Sequence, residues 1–167
     1  MKRLLSAVVA ALLMLPVMAQ NITGTWTNTE ALRQAADNGS SKGTATNYLT
    51  FNPDGTFRQD GTLVVALSAK GENFHVTVAY TGSGKWAQRV ETLSLQYDPK
   101  KATVEVTECD FPGFVKKTFA NSVKKALKKS LSGKKPMDLL IVSLTDDELV
   151  LLPLGKKDPQ PEVYKRK

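Results

Sequence analysis

The chain has 167 residues, 41% of them hydrophobic and 23% charged, a formal net charge of +7, and one Cys and one His. These proportions suit one globular domain and exclude disordered, collagen-like and multi-span membrane compositions. Cys109 alone cannot form an intrachain disulfide or a thiolate zinc site, and His75 alone cannot form a two-histidine metal site, so no metal or cofactor is expected.

The first element reads as an export signal over residues 1–19. Lys2 and Arg3 precede the apolar run Leu4 to Leu15, and Val17-Met18-Ala19 supplies small residues at the spacing signal peptidase requires. Twelve residues make a helix of about 18 Å, short of the roughly 30 Å hydrocarbon core. Gln20 stands where a lipoprotein would need Cys. The expectation is a soluble periplasmic or secreted protein, not a lipoprotein, with residues 20–167 forming one domain.

Gly24 to Thr27 reads as a first strand. Thr29 to Asp37, rich in Ala, Leu, Gln and Glu and stopped by Asn38-Gly39, reads as a short helix. From Thr44 to Glu108 the pattern changes to period-2 alternation broken by turn residues. Asn52-Pro53-Asp54-Gly55, Lys70-Gly71-Glu72-Asn73, Gly82-Ser83-Gly84 and Asp98-Pro99-Lys100 mark the breaks. Leu63, Val65 and Leu67 share one strand face. So do Phe74, Val76, Val78 and Tyr80, then Leu93, Leu95 and Tyr97, then Val104 and Val106. Leu139 to Leu144 and Leu149 to Leu154 form another hairpin, and Val163 to Arg166 is a closing strand. Eight to ten antiparallel strands joined by short hairpins favour an all-β, up-and-down barrel over a sandwich.

Between the strands, Phe114 to Ser132 reads as an amphipathic helix. Val115, Phe119, Val123, Leu127 and Leu131 recur every four residues, with Lys117, Lys124, Lys125, Lys128 and Lys129 on the opposite half. Eight lysines and no acid lie between Asp110 and Asp138, so the positive charge is concentrated in one helix and its exit loop. No nucleic-acid-binding motif is visible. The apolar half suits packing on the barrel as a plug or lid. A weak contact of Lys124, Lys125, Lys128 and Lys129 with an anionic membrane surface or an acidic partner is the other use of this helix.

No residue pattern marks an enzyme. His75 alternates with Phe74 and Val76 and so faces solvent. Ser94 and Ser143 lack a nucleophile-elbow context, Asp146-Asp147-Glu148 reads as a hairpin turn, and Glu105 and Glu108 point outward from their strand. Catalytic residues are therefore expected to be absent.

Gly24-Thr25-Trp26, Leu49-Thr50-Phe51-Asn52-Pro53-Asp54-Gly55-Thr56-Phe57, Gly84-Lys85-Trp86 leading to Leu93-Ser94-Leu95, and Leu144-Thr145-Asp146-Asp147-Glu148-Leu149-Val150-Leu151 occur in that order. In these segments the chain, from Ile22 to about Leu154, resembles the bacterial lipocalin-like proteins of the calycin group. The resemblance implies a meandering antiparallel barrel whose interior holds a small apolar or amphipathic molecule; the leading expectation is an exported, monomeric, non-enzymatic binding protein of the cell envelope, without cofactor. It implies barrel closure at Gly24 and Trp26, with a basic residue over the indole; Arg166 and Arg89 both compete for that role. The cavity-lining candidates are Phe74, Val76, Val78 and Tyr80 on one strand, Trp86 further along, and Leu93, Leu95 and Tyr97 on the next. The alternative is a solid-cored module that binds or inhibits a macromolecule through its surface. The inserted basic helix is a departure from the family pattern.

Overall fold

A computed structural model describes residues 21–36, 39–69, 72–133 and 135–167. The export signal read over residues 1–19 lies outside the described residues. Among them are nine strands: β1 (Gly24–Ala36), β2 (Gly39–Phe51), β3 (Thr56–Ala69), β4 (Glu72–Arg89), β5 (Thr92–Tyr97), β6 (Thr103–Cys109), β7 (Met137–Leu144), β8 (Glu148–Pro153) and β9 (Glu162–Arg166). One α-helix, α1 (Gly113–Ser130), follows β6, and a 3₁₀ turn at Pro99–Lys101 joins β5 to β6.

All pairings are antiparallel. Each of β1 to β4 pairs with the next, β4 also takes both β5 and β6, and the circuit continues through β7, β8 and β9 back to β1. β5 pairs with the C-terminal part of β4, from Gly84↔Tyr97 to Arg89↔Thr92, and β6 pairs with its earlier part, from Thr81↔Thr103 to Val76↔Cys109. These two strands therefore share one position in the wall, and the sheet is a closed barrel of eight staves. Of these two strands only β5 pairs with β7, whose other edge takes β8. Beside β6 the wall is continued by α1, which packs against it. Eighteen helical residues span about 27 Å, enough to carry the chain back along β6 to the start of β7.

Residues 29–36 are strand, which corrects the expected short helix. β1 stays in register with β2 from Gly24↔Phe51 to Ala36↔Gly39. The Ala, Leu, Gln and Glu content sets only a weak helical preference, and a continuous ladder to a neighbouring strand overrides it. Gly82-Ser83-Gly84 does not end a strand either. β4 runs straight through it, and the glycines serve close approach. A Cβ on Gly82 would lie 3.1 Å from the Tyr97 ring and 3.2 Å from Leu131, and one on Gly84 would collide with the Gln96 carbonyl. The hairpin is instead at Val90-Glu91, where Val90 has φ 52° and is 90% exposed.

The core lies at the end where all eight staves meet. Trp26, Leu49, Phe51, Phe57, Leu93, Leu95, Leu149 and Leu151 are nearly or fully buried there. Phe51 packs edge-on against Trp86 at 5.6 Å and Phe57 against Tyr97 at 4.9 Å. The far ends of β1 to β3 extend past this core and are much more exposed.

Candidate ligand cavity

Alternation fixes which side chains enter the barrel. On β1 the inward series that begins with Trp26 continues through Asn28 and Glu30. On β2 Phe51 and Leu49 are followed by Asn47, and on β3 Phe57 is followed by Gln59. One layer above the apolar core, the inward positions thus become polar. β4 and β5 contribute Tyr80 and Tyr97 to this layer, and β9 contributes Glu162 and Tyr164. Opposite Tyr80 in the ladder, Gly61 has no side chain, and the Tyr80 ring occupies the space its Cβ would take.

Together these groups line a half-open cavity of about 240 Å³. Leu49, Leu95 and Leu139 form its apolar floor, Leu127, Ser130 and Leu131 from the end of α1 form one side, and Met137 stands at the start of β7. The polar layer is bonded internally. The Tyr80 hydroxyl donates to Asn47 Oδ1 at 2.5 Å, Gln59 Nε2 donates to the same oxygen at 3.1 Å, and the Tyr97 hydroxyl donates to Gln59 Oε1 at 2.5 Å. The Tyr164 hydroxyl donates to Glu162 Oε2 at 2.9 Å. Burial holds the phenols of Tyr97 and Tyr164 well above the ordinary tyrosine range, with the Glu162 carboxylate adding to both. Tyr80 is raised too, first by burial and then by Glu30.

The cavity opens at a seam. β1 and β9 pair only at Trp26↔Arg166 and Thr27↔Lys165, then part. Asn28 Nδ2 donates to the Val163 carbonyl at 2.7 Å where they separate. Asn28, Glu30 and Glu162 also line an outer groove of about 540 Å³, bordered by Lys156, Asp158 and Pro159 to Val163. The groove and the cavity meet at the two carboxylates.

No family model and no curated protein matches this chain. Of the cavity candidates, Tyr80, Leu95 and Tyr97 line this space. Leu93 is buried in the core below it, and Trp86 packs on Phe51 with its indole N–H donating to the Asn52 carbonyl at 3.0 Å. Val76 and Val78 are buried nearer the other end of β4, where Phe74 stacks on Phe111 at 4.6 Å. These five do not line the cavity. The residues that sequence reasoning passed over are Asn28, Glu30, Asn47, Gln59, Glu162 and Tyr164.

At the closed end Arg166, not Arg89, lies over Trp26, with Cζ 4.2 Å from the ring centroid. Its guanidinium donates to the carbonyls of Thr23 (2.9 Å), Asn21 (3.1 Å) and Asp146. Gly24, at φ +117°, leaves the room: a Cβ there would sit 2.8 Å from Arg166 Nη1. On α1, Leu131 is buried and Leu127 packs against the core. Val115, Phe119 and Val123 are half-buried, and Phe119 meets Phe111 at 4.9 Å. Lys116, Lys117, Lys124, Lys125, Lys128 and Lys129 are exposed. His75 projects outward, 62% exposed, with Nδ1 3.2 Å from Asp110 Oδ2.

Proposed function

We propose that this chain is an exported, lipocalin-like binding protein that holds one small amphipathic molecule inside the barrel, with the last turns of α1 as a lid. The observation that carries the reading is the 240 Å³ cavity, apolar below and polar above, between the barrel wall and Leu127 and Leu131. It combines a shielded apolar surface with a few convergent polar groups, as small-molecule sites do. Its volume is slightly under the usual range for drug-sized ligands, so the ligand is small. The polar layer favours an amphipathic over a wholly apolar ligand, because an apolar occupant would take water from the Glu30 and Glu162 carboxylates at the cavity's edge without replacing it. The motif order quoted above and the closed barrel agree with the family resemblance. An envelope location follows from the signal-like leader.

Native mass spectrometry of protein purified from its own host tests the reading. A bound small molecule is expected, and the variant Leu127→Trp, which fills the cavity from the α1 side, should lack it while remaining folded. Protein that is always ligand-free, and a Leu127→Trp variant of unchanged binding capacity, would favour the solid-cored interaction module instead.

A further inference from the structure

We infer that the barrel cavity selects a ligand carrying a protonated amine on a short aryl or alkyl body. This rests on the binding-protein reading above and adds the charge of the ligand. Among the described residues the cavity is lined by Glu30 and Glu162 and by no Lys, Arg or His. That sign is opposite to the chain's net charge of +7, so the interior does not follow the composition of the whole.

Hydrogen-bond polarity points the same way. Tyr80, Tyr97 and Tyr164 each donate their hydroxyl proton to a protein oxygen, on Asn47, Gln59 and Glu162 respectively. What each phenolic oxygen still offers the cavity is acceptor capacity, and the carboxylates offer nothing else. An ammonium group has three donors and no acceptor, which complements this wall. Glu30 and Glu162 also stand where the cavity meets the outer groove at the β1–β9 seam. The groove there carries Glu30, Glu162 and Asp158 against Lys156, so a cation entering is attracted on balance and a carboxylate ligand repelled.

Three probes with one ring and different head groups separate the alternatives: tyramine, its neutral alcohol tyrosol, and 4-hydroxyphenylacetate, titrated calorimetrically into the purified protein. Tyramine is expected to bind at least tenfold more tightly than tyrosol, and 4-hydroxyphenylacetate not at all. Glu162→Gln keeps an acceptor for the Tyr164 hydroxyl and should weaken tyramine tenfold or more while leaving tyrosol unchanged. Glu30→Gln, at the exposed rim, should act in the same direction, and melting curves establish that both variants are folded. Equal binding of tyramine and tyrosol, or tyramine affinity unaffected by both substitutions, overturns the amine inference and leaves the binding reading standing. Failure of all three probes also overturns it. Whether the binding reading falls as well is then read independently, from the presence or absence of a copurifying ligand.

Discussion

Trp26 concentrates several interactions in one side chain. Its ring has no solvent exposure, its indole N–H donates to the Ile22 carbonyl at 2.7 Å, and Arg166 covers its outer face. Trp26→Ala is expected to cost about 3 to 5 kcal/mol in urea unfolding, whereas His75→Ala, on a solvated side chain, should cost less than about 0.5 kcal/mol. Equal small losses would remove Trp26 from the closing role. Tyr97 and Tyr164 make a second prediction. Folding raises both phenols above their unfolded value of 10.0. Between that value and the folded pKa the unfolded chain has lost protons that the native state keeps, so stability must fall as pH rises. The contribution is complete below about pH 10 and declines above it by about 1.4 kcal/mol per pH unit for each tyrosine. Thermal melts between pH 8 and 11 check this, and Tyr164→Phe should flatten the slope.

The elements differ in how much they owe to local sequence. α1 was legible because its apolar residues recur at helical spacing over eighteen positions. The far half of β1 was not, since its side chains prefer helix and its strand state comes from pairing with β2. Gly82 and Gly84 resemble punctuation in sequence, yet they admit Tyr97, Leu131 and the Gln96 carbonyl. The Arg89–Thr92 hairpin lacked the usual turn residues: Val90 occupies a left-handed position that glycine favours. Val90→Gly should therefore raise stability by about 1 kcal/mol in chemical denaturation. For α1, Phe119→Asp places a charge beside Phe111 and should lower stability by about 1 to 3 kcal/mol. Changing Lys124, Lys125, Lys128 and Lys129 to Gln should leave melting almost unmoved, because all four are solvated. Salt-sensitive binding to anionic vesicles, lost in the four-lysine variant and joined to an unchanged Phe119→Asp melt, would assign the helix to a membrane surface instead.

At the scale of the molecule the barrel is unequal along its axis. Trp26, Phe51, Phe57, Leu93, Leu149 and Leu151 fill the closed end, while the ends of β1, β2 and β3 beyond the polar layer carry few buried side chains. Hydrogen exchange should separate the two, with amides of residues 93–97 and 149–152 protected far longer than those of 31–35 and 41–45. Uniform protection along β1 and β2 would contradict this. The same division explains what sequence revealed of the site. Apolar alternation announces a core face, so Tyr80, Leu95 and Tyr97 were found. Asn47, Gln59 and Glu162 are polar residues in an inward register. Their function as a group arises only when β2, β3 and β9 are brought around one space, which no local period encodes.

The β1–β9 seam sets an order of events during synthesis. It joins Trp26 to Arg166, 140 positions apart, through two residue pairs. The staves from β1 to β4 can zip successively as they emerge, since each pairs with its successor, but the ring has no final partner for β1 until β9 has been made. Through most of its emergence the nascent chain therefore carries an indole without its guanidinium cover and a long unpaired strand edge. That is the stage at which a chaperone has most to grip and a second nascent copy has most to invade.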